Sequence, residues 1–142
     1  WHALEYAGVS PDALEGESVG VFWGAAPSEY SLHTLYASDH EISTTSGSGV
    51  HPAALSGRIS YLLGLRGPSL TVDTACSSSL MGLHLACSAL AQEECKMAVV
   101  GGVNVMLAPQ PSRYFGHIGD VIKSGFPFFD LASCSLWRNE DD

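Results

Sequence analysis

Thr71-Val-Asp-Thr-Ala-Cys76-Ser-Ser-Ser-Leu80 constrains the fold more than any other stretch of the chain. A β-favouring run, Leu70 to Val72, gives way to small residues, a cysteine and three serines, and then to an apolar helical pattern from Leu80 to Ala91. The pattern predicts a strand that turns sharply, presents Cys76 at the turn and enters a helix directly behind it. That geometry aims backbone N–H groups and the positive end of the helix dipole at the sulfur. It supports negative charge on sulfur and offers donors to an oxyanion formed beside it. A nucleophile for acyl transfer is built this way. A lone cysteine before a helix is more often a packed small hydrophobe, but the small neighbours Ala75, Ser77 and Ser78 leave room for a substrate, so on spacing alone both readings stand.

The segments around it give an α/β order. Trp1 to Ala7 reads as the last turns of a helix closed by Gly8, and Val9 to Gly16 as a polar loop. Val19-Gly-Val-Phe-Trp23 is a glycine-bounded apolar run that reads as a buried strand. Pro27-Ser28 offers a cap for a helix with Leu32, Leu35 and Tyr36 on one face, and Ser43 to Gly49 reads as a small-residue loop. Pro52 suits the first turn of a helix carrying Leu55, Ile59, Leu62 and Leu63 and ending at Gly64. Arg66 to Ser69 is a turn.

Behind Cys76 the helix is apolar nearly all round (Leu80, Met81, Leu83, Leu85, Leu90), so burial on most faces is expected. A short loop, Gln92 to Cys95, returns to the apolar strand Met97 to Gly102. Strand, helix and strand with so short a return form a βαβ unit with parallel strands, and reactive atoms belong at the carboxyl end of the first strand. From Pro109 onward the prolines and scattered aromatics suggest loops, and Leu131 to Asp142 carries no clear element. There is no internal repeat.

Composition narrows the function classes. With 142 residues, 46% apolar and 15% charged, the chain has material for the core of one modest domain. A net charge of −9 argues against nucleic acid and anionic membrane surfaces as partners. No Lys or Arg precedes Arg58, whereas seven acidic residues do. No run is long enough to span a bilayer and none has the form of a signal peptide. Cys76, Cys87, Cys95 and Cys134 lack CxxC spacing and the density of a secreted scaffold, so a cytoplasmic chain with reduced thiols is expected.

Other candidate chemistry is thin. His84 lies eight residues beyond Cys76. On a helix that is about 12 Å along the axis and roughly 80° of rotation, too far for a hydrogen bond. It reads as a partly buried helix residue. His51 reads as a cap or surface residue, and His2, His33, His40 and His117 carry no motif. Asp73 is better suited to backbone N–H groups, Arg58 or Arg66 than to a catalytic triad. Cys87 and Cys95, eight apart without a histidine pair, read as core packing rather than as metal ligands. The serine and glycine loop at 43–49 and Gly101-Gly102 match no phosphate loop and read as turns.

Asp73-Thr-Ala-Cys-Ser-Ser-Ser-Leu80 resembles the active-site signature of β-ketoacyl synthase domains, especially those of type I polyketide synthases. Trp1-His-Ala-Leu-Glu-Tyr-Ala-Gly8, Val19-Gly-Val-Phe-Trp-Gly24, Ser56-Gly-Arg-Ile-Ser-Tyr61, Gly64-Leu-Arg-Gly-Pro-Ser69 and Gly101-Gly-Val-Asn-Val-Met-Leu107 follow in family order and spacing. The likeness covers most of residues 1–111. Past Pro111 the chain diverges: Phe129-Asp130 and Arg138-Asn-Glu140 keep the skeleton of a family segment, but Cys134-Ser-Leu136 stands where Asp-Gly-Tyr is expected.

The resemblance implies a partial thiolase-like fold, layered α/β/α, corresponding to the N-terminal half of a ketosynthase that is homodimeric when complete. It implies that Cys76 takes an acyl chain as a thioester and that the Cys76 backbone N–H contributes to the oxyanion hole. The acyl group would then condense with the carbanion released by decarboxylation of a malonyl-type extender. No cofactor would be bound directly, because both substrates ride on the phosphopantetheine of acyl carrier protein. Partners would be that carrier and neighbouring synthase domains. Two histidines and a lysine that assist decarboxylation lie further downstream in the family, and their motifs are absent here. The resemblance therefore predicts a fragment that cannot complete condensation by itself. A non-condensing thiolase-fold acyltransferase or decarboxylase and a catalytically inactive truncated remnant are the alternatives.

Overall fold

The computed structural model describes residues 1–27, 30, 31, 36, 43–105 and 133–138. Among them four strands form one sheet in the order β2-β1-β3-β4, with β1 Val19–Gly24, β2 Ser69–Val72, β3 Met97–Gly102 and β4 Ser133–Arg138. Strand β1 is parallel to both β2 and β3, pairing Trp23 with Thr71 on one side and with Gly101 on the other. Strand β4 runs antiparallel to β3. The helices are α1 His2–Tyr6, α2 Thr44–Val50, α3 Ala53–Leu62 and α4 Ser78–Ala91. The expected βαβ unit is thus β2-α4-β3, its strands parallel but separated by β1.

Alternation along β1 builds two cores. On one face Phe22 meets Ala86, Ala89 and Leu90 of α4, together with Cys95, Ala98 and Val100. On the other, Val19 and Val99 pack with Leu4 of α1, Leu14 and the partly buried Leu63 and Leu65. Helix α3 joins this second face through buried Ser56, whose hydroxyl accepts a hydrogen bond from Thr71 of β2 at 3.0 Å. Helices therefore cover both faces of the sheet, which is the layered α/β/α arrangement expected from the sequence.

Three helices end in the same way. Gly8, Gly64 and Glu93 each take a left-handed backbone (φ +66°, +64° and +58°) directly after the C-cap. In each, two N–H groups fold back onto the last turn: Gly8 to Glu5 and Val9 to Leu4, Gly64 to Tyr61 and Leu65 to Ser60, Glu93 to Leu90 and Glu94 to Ala89. This double closure satisfies carbonyls that the helix end would otherwise leave bare.

Several expectations need correction. Ser43 to Gly49 is mostly helix, not loop, because Ser43 and Ser46 form a reciprocal capping box that starts α2. The loop after Val9 contains a 3-10 turn, Pro11–Leu14, that drops Leu14 into the core. Gly101 and Gly102 are no turn but the last residues of β3, whose bounds Met97–Gly102 are those expected for the apolar strand, and Ser133–Arg138 is a strand. Helix α3 leaves Leu55 and Leu62 exposed and buries Ser56 instead. Helix α4 is buried along one stripe only, Ser78, Gly82, Ala86, Ala89 and Leu90, while Leu80 is 70% exposed. Size rather than hydropathy selects that stripe, since the close approach of α4 to β1 admits only small side chains at its centre. His84 and Cys87 fall on the outer side of α4 and are exposed; Cys95 packs in the core as expected. The helix expected after Pro27-Ser28 (Leu32, Leu35) and the loops expected after Pro109 lie largely outside the described residues.

Candidate active site

Cys76 stands where the sequence puts it, exposed on the connection from the carboxyl end of β2 to the first turn of α4. Ala75, just before it, has φ +55°, a left-handed conformation in a residue that carries a β-carbon. Such a residue costs on the order of 1–3 kcal/mol and persists only where its surroundings enforce it. The strain lifts Cys76 out of the line of the strand and onto the surface.

Hydrogen bonds enforce the turn at almost every peptide. The Asp73 carboxylate accepts from the Ala75 N–H at 2.9 Å, so Asp73 serves backbone N–H groups, one of the partners expected for it. The Thr74 carbonyl accepts from the Ser77 hydroxyl at 2.8 Å and from the Ser77 N–H at 3.4 Å. The Thr74 N–H donates to the Ser78 hydroxyl oxygen at 2.9 Å. That hydroxyl in turn donates to the Ala75 carbonyl at 2.6 Å, and the Ser78 N–H reaches the same carbonyl at 3.1 Å. No hydrogen bond among the described residues engages the Cys76 N–H.

Two glycines form the floor of the turn. Gly24 and Gly102 are register partners at the carboxyl ends of β1 and β3. A β-carbon on Gly24 would lie 2.5 Å from the backbone of Ser78 and Ser79, and one on Gly102 would lie 2.7 Å from the Ser79 side chain. Their bareness lets the first turn of α4 rest directly on the strand ends, behind the turn that carries Cys76.

The histidines do not converge here: His84 sits outward on α4, His51 closes α2 and His2 lies in α1, while His33, His40 and His117 lie outside the described residues. No group of three or more His, Cys, Asp or Glu suited to a metal ion occurs among the described residues, and none of their helices is long and apolar enough to cross a membrane. Sequence reasoning singled out Cys76 but missed Ser78, Gly24 and Gly102. A signal for Ser78 did exist: it stands four residues before Gly82 and eight before Ala86, on one small-residue stripe.

Comparison with known proteins agrees with this architecture. The family model for the β-ketoacyl synthase N-terminal domain matches residues 1–133. A phenolphthiocerol/phthiocerol polyketide synthase chain of Mycobacterium tuberculosis is 43% identical over 141 residues, covering 99% of this chain and 8% of that protein. Erythronolide synthase EryA2 of Saccharopolyspora erythraea is 52% identical over 109 residues, covering 77% of this chain and 3% of that protein. Among solved structures, the oxazolomycin ketosynthase domain OzmH KS7 of Streptomyces albus JA3453 superposes with a TM-score of 0.72 at 40% identity, over 84% of this chain and 20% of that one. The ketosynthase from module 6 of the bacillaene synthase of Bacillus subtilis 168 gives 0.68 at 37% identity, over 82% and 19%. The chain spans less than a tenth of the two curated relatives named here and about a fifth of the two solved ketosynthases. The family match over nearly the whole chain, relatives more than 40% identical and ketosynthase structures with the same thiolase-like fold lead to one conclusion: this chain belongs to the β-ketoacyl synthase N-terminal domain family, as a ketosynthase segment of the type I polyketide synthase kind.

Proposed function

We propose that this chain supplies the acyl-accepting part of a polyketide-synthase ketosynthase, with Cys76 as the nucleophile. The observation that carries this reading is the elbow: an exposed thiol on a strained strand-to-helix turn whose own N–H is left without a partner among the described residues. In the first half-reaction the Cys76 sulfur attacks the carbonyl carbon of an acyl thioester on the phosphopantetheine of acyl carrier protein. Negative charge gathers on the carbonyl oxygen, and the Cys76 N–H is the donor at hand to meet it. The carbon–sulfur bond to the carrier then breaks, the carrier thiol departs with the proton, and the acyl group remains as a thioester on Cys76.

In the second half-reaction a malonyl-type extender on a carrier loses carbon dioxide. The resulting carbanion attacks the Cys76 thioester, a carbon–carbon bond forms and the Cys76 sulfur leaves. The two histidines and the lysine that assist decarboxylation in the family have no counterpart motif in residues 1–142, so they would come from elsewhere in the complete ketosynthase, together with its neighbouring domains and dimer partner. The chain alone is expected to be acylated without condensing.

Mass spectrometry after exposure to an acyl thioester tests the first half-reaction. A single acyl adduct on a Cys76 peptide, absent from Cys76→Ala, is the expected result. Equal labelling of wild type and variant overturns the assignment. Sustained carbon–carbon bond formation by the 142-residue chain with acyl and malonyl carriers overturns the division of labour.

A further inference from the structure

The Ala75 carbonyl and the Cys76 N–H belong to one peptide unit, which is planar and trans, so the two groups point in opposite directions. Whatever fixes the carbonyl also aims the N–H. Two hydrogen bonds fix it, both from Ser78: the hydroxyl at 2.6 Å and the backbone N–H at 3.1 Å. The hydroxyl oxygen also accepts the Thr74 N–H at 2.9 Å, so one side chain ties the Asp73–Thr74 peptide to the Ala75–Cys76 peptide. Ser78 is buried, only 5% exposed, with little room for water to replace its hydroxyl. Donors on a carbonyl also polarise the N–H across the same peptide and make it a stronger donor.

We propose that Ser78 is a positioning residue for acyl transfer, which orients and polarises the Ala75–Cys76 peptide so that the Cys76 N–H meets the oxyanion of the attacked thioester. The inference rests on the reading of Cys76 as acyl acceptor and adds what holds that site in working geometry. Ser77 serves as the internal contrast. Its hydroxyl bonds to Thr74, at the carbonyl and at Oγ1 (2.8 and 2.9 Å), and makes no hydrogen bond to the Ala75–Cys76 peptide.

Two reactions of the same sulfur separate positioning from stability. Acylation by a thioester passes through an oxyanion, whereas alkylation by iodoacetamide is a direct displacement at carbon without one. In the 142-residue chain, Ser78→Ala is expected to lower the rate of Cys76 acylation by about ten- to a hundredfold. The alkylation rate should stay within about threefold. Ser78→Thr, which keeps a hydroxyl, is expected to recover most of the acylation rate, and Ser77→Ala should leave the ratio of the two rates unchanged. If Ser78→Ala does not fold, the same ratio is read from Ala75→Gly/Ser78→Ala against Ala75→Gly, since glycine removes the left-handed strain at that position. An unchanged ratio in the Ser78 variant, a parallel loss of both rates, or an equal fall in Ser77→Ala overturns the proposal. Absence of any Cys76 adduct in the wild type overturns the nucleophile reading itself, and this inference with it.

Discussion

Gly24 and Ser78 meet with no room for a side chain between them: a β-carbon on Gly24 would lie 2.5 Å from the Ser78 carbonyl carbon. The obstacle is backbone, which no rotamer change relieves. Gly24→Ala should therefore push the first turn of α4 off the sheet, at a cost of about 1–3 kcal/mol, and slow Cys76 acylation along with it. Gly82 on the same interface makes the opposite case, because a β-carbon there would meet nothing closer than 3.7 Å. Gly82→Ala fills ordinary contact space and improves a helix interior, so it should raise stability by roughly 0.5–1 kcal/mol. Denaturant unfolding of the two variants measures both signs, and a loss at Gly82 as large as that at Gly24 would refute the packing account.

Ser56 and Thr71 pin α3 to the strand that leads into the elbow. Ser56 is 1% exposed, and its oxygen receives the Thr71 proton at 3.0 Å. Thr71→Val should cost about 1–3 kcal/mol, because it strands a buried hydroxyl. Ser56→Ala/Thr71→Val should cost less than the two single losses summed, with a coupling of about 1 kcal/mol. Strict additivity across the four-membered cycle would show that the contact carries no energy.

Glu93 closes α4 in the role that Gly8 and Gly64 play for α1 and α3, at φ +58° and with its side chain exposed. A non-glycine residue in that region costs about 1–2 kcal/mol. Part of that is recovered in Glu93→Gly, against the extra freedom glycine gives the unfolded chain. The variant should gain about 0.5–1 kcal/mol, a rise of a few degrees in melting temperature. A fall in melting temperature would mean that the Glu93 side chain contributes something its exposure does not suggest.

What was legible in the sequence is what local chemistry decides. Glycine stops after Ala7 and Leu63, the apolar strand at Val19 and the strand-turn-helix around Cys76 all follow from residue type and spacing. What stayed hidden depends on distance between elements. That α4 buries Gly82 and Ala86 and exposes Leu80 follows from how near it lies to β1, and hydropathy counts the large residues first. The placement of β1 between β2 and β3 is long-range pairing that no neighbouring residue announces. Ser43 and Ser46 look like loop residues until their mutual cap is seen. Within the site, Cys76 was distinctive, whereas three consecutive serines gave no immediate hint that Ser78 alone turns inward to clamp the peptide before the cysteine.

Cys95 offers a pH test of the core opposite α1. It is 2% exposed and packs with Phe22, Ala86, Ala98 and Val100. Burial pushes its thiol above the ordinary range, the negative charge of Glu94 adds to the rise, and a hydrogen bond with the Gly20 backbone offsets part of it. In the unfolded chain the thiol releases its proton near pH 8.5. The folded chain holds that proton to higher pH. Between the two pKa values the unfolded state binds fewer protons than the folded one, so stability falls as pH rises. The stabilising contribution of a protonated Cys95 is therefore full below about pH 8 and is lost through the alkaline range. Cys95→Ala should cost about 1 kcal/mol near neutrality, from the space it leaves. Above about pH 8.5, where the free thiol ionises, the difference between wild type and variant should shrink as the wild type alone loses stability at this position. Urea unfolding at several pH values measures that difference directly, and a gap that stays constant would show that the buried thiol ionises no later than a free one.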